Sequence, residues 1–212
     1  DEPLADAADA PPEVRPRLAA PMQILQLRAG KLRAAVRPDL GGALAGLWFD
    51  GEPLLRGTEP RVLESIDDCA AFPCAPFAQE LGRASLQWMD KTYELERHPS
   101  STHALHGVAW LRRWEIVAVS AKAAEMRYCH AADDAWPFAF DVSQVFKLSD
   151  HTLTMTLSIT NQAPSAAPVG LGWHPYFAKR EGAHIKFDAN ARWEMSADKL
   201  PTVLQATPSM AS

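Results

Sequence analysis

The sequence has no uninterrupted apolar run approaching the roughly 20 residues needed to cross a bilayer, because charges or prolines break every candidate. It has no surplus of positive charge either. The 21 Lys and Arg against 26 Asp and Glu leave a formal charge of -5, so no broad basic field exists to attract a phosphate backbone, and nucleic acid is excluded as the expected partner. Cysteine is scarce. Cys69, Cys74 and Cys129 are odd in number and none forms a C-x-x-C pair, which argues against a zinc ribbon or a disulfide framework. The expectation is a soluble protein of a reducing, cytoplasmic compartment, with no membrane partner.

A sustained 3.6-residue apolar period is also missing, as are internal repeats and helix–strand alternation, so a doubly wound α/β fold is disfavoured. What is present is a chain of 212 residues, 47% apolar, long enough to bury a continuous core. Residues 1–21, rich in Ala, Pro and acids, read as a flexible N-terminal tail without the basic start and apolar centre of a secretory signal. Residues 22–212 read as one mostly β domain.

Period-two segments follow one another from Met22 onward. Met22–Arg28 and Lys31–Arg37 flank Ala29-Gly30, and Ala43–Phe49 meets Glu52–Leu55 through Asp50-Gly51, a dipeptide suited to tight hairpins. Ser85–Trp88 and Thr92–Leu95 form a further hairpin. The clearest strands are Trp114–Ser120, Ala124–His130, Phe138–Leu148 and His151–Asn161, then Val169–Phe177, His184–Phe187 and Arg192–Met195. Along His151–Asn161, Leu153, Met155, Leu157 and Ile159 alternate with hydroxyl residues, which predicts one buried and one exposed face. Ala70–Ala78, with Pro73 and Pro76 among apolar residues, reads as irregular and partly buried.

Two histidine motifs carry the chemistry: His103-Ala104-Leu105-His106-Gly107 and Gly172-Trp173-His174-Pro175-Tyr176-Phe177. A histidine exchanges protons near neutrality, as general acid–base work requires. His103 and His106 also make an H-x-x-H pair, but no third ligand has suitable spacing, so no metal is expected. Trp110 and Trp173 are candidates to stack on the C–H face of a sugar, whereas Trp114 opens an alternating strand and reads as core. Cys69 and Cys74 read as small core residues.

These motifs, with Gly41-Gly42, Phe72-Pro73, Pro76-Phe77, Trp110, Trp114, Asn161 and Pro168 in the same order, resemble the aldose 1-epimerases, also called galactose mutarotase-like proteins. The resemblance runs from about Met22 to Pro208. It implies an all-β fold, a β-supersandwich, that binds a free hexose such as galactose or glucose and interconverts its α and β anomers without a cofactor. It further implies His174 as the acid at the ring oxygen and His106 as a group polarising the same region. His103, Gln79, Trp110 and Trp173 are the implied substrate-binding residues.

Two departures follow from the same resemblance. The family's base, a glutamate, lies far beyond the His-Pro-Tyr-Phe motif, past Ser212, so the domain is expected to be C-terminally incomplete and the base is not assigned to Glu181 or Glu194. Where relatives commonly carry Asn-Arg, this chain has Gln79-Glu80, which exchanges a cation for a carboxylate; Arg83 is a nearby substitute. Two alternatives therefore stand beside the enzyme: a non-catalytic carbohydrate-binding or regulatory paralogue, and a hexose-6-phosphate 1-epimerase. Trp110, where the phosphate branch has an arginine, favours an unphosphorylated sugar.

Overall fold

A computed structural model of the chain describes residues 21–184, 186 and 189–206. The expected tail, apart from Pro21, lies outside the described residues, as does part of the candidate strand His184–Phe187. In chain order the first strands are β1 (Leu25–Ala29), β2 (Leu32–Arg37), β3 (Ala43–Phe49), β4 (Glu52–Pro53) and β5 (Ala71–Cys74). Short pairs follow: β6 (Glu80–Leu81), β7 (Ser85–Trp88), β8 (Lys91–Glu94) and β9 (Ala104–Leu105). Then come β10 (Glu115–Val119), β11 (Ala123–His130), β12 (Phe140–Ser149), β13 (Thr152–Asn161), β14 (Gly172–Pro175), β15 (Ala191–Met195) and β16 (Pro201–Ala206). No described helix is long and apolar enough to cross a membrane.

Two sheets make the body. One runs β1-β2-β3-β5-β14 with β4 added to β3, and the other is the antiparallel meander β10-β11-β12-β13. Their facing sides share the main core, where Leu27, Leu44, Trp114, Met126, Val142 and Phe146 are buried. On β13 the predicted alternation is present: Leu153, Met155, Leu157 and Ile159 pack on that core while the intervening Thr and Ser residues face out. A second, smaller cluster lies on the other side of the first sheet and includes Ala43, Ala45, Trp48, Cys69, Phe72, Cys74 and Trp110. The candidate site rests on this second cluster.

The Ala70–Ala78 stretch corrects its reading as irregular. Ala71–Cys74 is a fully buried strand between β3 and β14. The prolines fit because of register. Tyr176 N donates to Ala70 O at 2.8 Å, and β5 pairs with β14 as Phe72↔His174 and Pro73↔Trp173. Bonded and non-bonded pairs alternate in an antiparallel ladder, so Pro73 and Pro175 both fall at non-bonded positions where an N–H is not needed between these strands. On its other side β5 meets β3 at Leu44↔Ala71 alone, which leaves Pro73 nothing to break there. The strand Pro201–Ala206 was not anticipated; it pairs with β15 across the turn at Asp198-Lys199.

Candidate active site

His106, in the turn after β9, and His174, on β14, are distant in sequence and meet on one face. Their ring centroids are 5.2 Å apart at 73°, edge to face. Phe72 forms the floor: it stacks on His174 at 4.8 Å and 12°, and meets His106 edge-on at 5.6 Å. Tyr176, two residues beyond His174 and so on the same face of the chain, closes the wall at 4.7 Å from the His174 ring. Its own ring carries the Arg56 guanidinium, 3.8 Å from the centroid. Arg56 in turn donates through Nε to Cys69 O at 3.1 Å and through Nη2 to Asp67 O.

The turn after β9 presents His106. The backbone is left-handed at His106 (φ 56°) and at Gly107 (φ 74°), a conformation that costs a non-glycine residue free energy and is retained only where surroundings fix it. The surroundings here are specific. His106 N donates to Gln79 O at 2.9 Å, and Val108 N and Ala109 N both donate to Ala75 O, at 2.9 and 3.0 Å. Gly107 bridges Ala75, and a Cβ at Gly107 would stand 2.1 Å from Ala75 O. Only glycine allows this approach.

Burial first, then the neighbouring His174 and His98, push the His106 imidazole down to about 4. His106 is therefore neutral at pH 7. In both rings the buried Nδ1 lacks a hydrogen-bond partner among the described residues. An unmet buried donor is costlier than an unmet acceptor, so the neutral His106 ring is favoured with its lone pair inward and its Nε2–H directed outward. His106 thus offers an N–H donor beside the His174 ring, over an aromatic floor. The thiols nearby play no part in proton exchange, since burial pushes Cys69 and Cys74 each up to about 12.

The other sequence candidates are dispersed. Gln79 is exposed and contributes its carbonyl to His106. His103 is buried beside β6, its Nδ1 accepting from Arg83 N at 2.8 Å and its Nε2 bonded to Asp198 O at 3.0 Å. The stacking roles of the two tryptophans are corrected. Trp173 stands on the opposite face of β14 from His174 and packs edge to face with Phe146, 6.0 Å away in the main core. Trp110 is 4% exposed and stacked between neighbours Phe72 and His98, while its Nε1 donates to Leu105 O and Gly107 O. It fastens the His106 turn. Phe72, Tyr176 and Arg56 were missed as site residues; the two-residue spacing from His174 to Tyr176 was the available signal for one of them.

The family model for aldose 1-epimerase matches residues 23–209. The chain belongs to the aldose 1-epimerase family. It is 35% identical over 173 residues to the uncharacterised Escherichia coli K12 protein YphB, covering 81% of this chain and 58% of that one. Among solved structures, a candidate aldose 1-epimerase from Escherichia coli K12 superimposes with a TM-score of 0.80 at 32% identity, over 90% of this chain and 64% of that one. The GalM/aldose epimerase homologue of C. elegans, at 19% identity and a TM-score of 0.73, shares the fold. This family member therefore spans less than two thirds of the length of these relatives. Its fold is the galactose mutarotase-like β-sandwich, and the two histidines lie on the sheet face away from the sandwich core.

Proposed function

We propose that the protein is an aldose 1-epimerase acting on a free hexose. The observation that carries this reading is the His106–His174 ring pair, 5.2 Å apart on the Phe72 floor. In the proposed reaction a base takes the C1 hydroxyl proton as C1=O forms and the C1–O5 bond breaks, and His174 gives O5 its proton. The C1–C2 bond rotates and the ring recloses on the other face, with the proton movements reversed. His106, held neutral, donates an N–H to the same oxygen and steadies the charge that builds there.

The base is left unassigned. Glu194 is bound to Arg192 on exposed β15 at 2.8 Å, and neither it nor Glu181 is offered for the role. A second reading, a carbohydrate-binding paralogue without turnover, is favoured by the carboxylate of Glu80 where relatives commonly carry a cation. Two-dimensional NMR exchange between the anomers of D-glucose and D-galactose separates the two. Exchange accelerated by the purified protein, and slowed by about 10²–10⁴ in H174N, supports the enzyme. Calorimetric sugar binding without accelerated exchange supports the binding protein, and neither effect overturns both. D-Glucose 6-phosphate as a third sugar tests the phosphate alternative.

A further inference from the structure

Beside the strand pair that leads into His106, a cavity of ≈ 320 Å³ is lined by Glu80, Ser100, Thr102, His103, Asp198 and Lys199 among others. One carboxylate sets its chemistry. Glu80 Oε2 is buried and has no hydrogen-bond partner among the described residues. The nearest ring nitrogen, His103 Nε2, is 3.8 Å away, beyond hydrogen-bonding reach. It is also committed elsewhere. Because Nδ1 accepts from Arg83 N, the ring proton sits on Nε2, and that proton is directed to the Asp198 carbonyl. His103 has no N–H left for Glu80.

A carboxylate oxygen in this state is stabilised most by a charged donor, since a charge-assisted hydrogen bond offsets its desolvation better than a neutral one. We infer that this cavity is a subsite for an ammonium group, and that the sugar turned over beside it is a hexosamine in preference to a neutral or anionic hexose. The inference rests on the epimerase reading. Glu80 is paired with Leu105, the residue before His106, and the carbonyl of Gln79 takes the His106 N–H, so the subsite and the histidine share one short backbone ladder. The charges lining the cavity point the same way: Glu80 and Asp198 face a single Lys199, which is exposed and has the stem length to turn outward. A phosphate or carboxylate on the sugar would meet two carboxylates against one lysine.

The test is calorimetric titration of the purified protein with D-glucosamine, D-glucose and D-glucose 6-phosphate at about pH 6, where an α-amine is protonated, alongside NMR anomer exchange for each. Glucosamine is expected to bind about tenfold more tightly than glucose, near the low end for a charge-assisted bond. The preference should shrink with added salt, glucose 6-phosphate should bind most weakly, and E80Q should bring glucosamine and glucose level. Equal affinity for the two sugars in the unaltered protein, or an unchanged ratio in E80Q, overturns the subsite. Should E80Q not fold, the ratio in the unaltered protein and its salt dependence decide. Preferential glucosamine binding with no exchange of any sugar sinks the epimerase reading and leaves the ammonium subsite standing. Exchange of glucose with no preference for glucosamine does the reverse.

Discussion

His106 is the residue whose environment makes the sharpest demand. With its imidazole pushed down to about 4 by burial, His174 and His98, its ring signals in an NMR titration should remain those of a neutral imidazole until the pH nears that value. The linked effect on stability has a definite sign. The folded-state value lies below the ordinary 6.5, so between about 6.5 and 4 the unfolded chain takes up the proton first; stability is full above that window and falls as pH descends through it. H106N should flatten this part of the stability profile measured by urea unfolding. H174N should raise the His106 titration, because one of the two opposing imidazoles is gone; a His106 midpoint unmoved by H174N would contradict the ring contact. At this scale the two histidines were legible because short motifs name them. The tryptophans were misread although the sequence held the answer for one: Trp173 adjoins His174, and neighbours in a strand face opposite ways. For Trp110 nothing local announced that its N–H would close on carbonyls three and five residues back.

Elements place these residues through backbone contacts that side-chain patterns do not display. Strands β1, β3, β7 and β10–β15 could be read from alternation and turn dipeptides, with the first hairpin turning at Gly30-Lys31, one residue later than expected. β5 could not, since its prolines obey the breaker rule locally and are rescued only by a ladder whose partner lies 100 residues on. Two glycines with similar dihedrals separate local strain from contact. Gly51 (φ 89°) has nothing within 4 Å of an added Cβ, whereas Gly107 (φ 74°) would bring that carbon to 2.1 Å from the Ala75 carbonyl oxygen. G51A should therefore cost about 1 kcal/mol from the dihedral alone. G107A must also displace the chain that carries His106, so it should cost roughly 2 kcal/mol or more and suppress anomer exchange. Thermal or urea unfolding of the two variants with exchange rates checks this, and equal effects would mean that the Gly107–Ala75 approach does not position the histidine.

In the whole molecule, the two sheets solve burial on their facing sides and leave edges to be managed. β10 is one edge of the four-stranded sheet, and every one of its residues is exposed, with Val117 and Val119 at 53% and 55%. A single acid, Glu115, is the charge on that strand, and it is paired with Arg127 across β11 at 3.2 Å, which lowers its value as a gatekeeper. A bulge between Ile116 and Ala118 interrupts the ladder with β11, but the apolar side chains remain in solvent. Exposed apolar edges of this kind template pairing with another copy. The protein should accordingly self-associate, its weight-average sedimentation coefficient rising with concentration. V117K/V119K replaces side chains that pack against nothing in the core, so it should change folding stability by no more than about 0.5 kcal/mol. The same double variant places two like charges along the edge, where a second copy of the strand would have to bring two more within a few ångströms. A flat sedimentation profile for the variant beside a rising one for the unaltered protein is the expected pair of results. A single monomeric species for the unaltered protein at every concentration would show that the bulge and the Glu115–Arg127 pair already suffice to keep this edge from pairing.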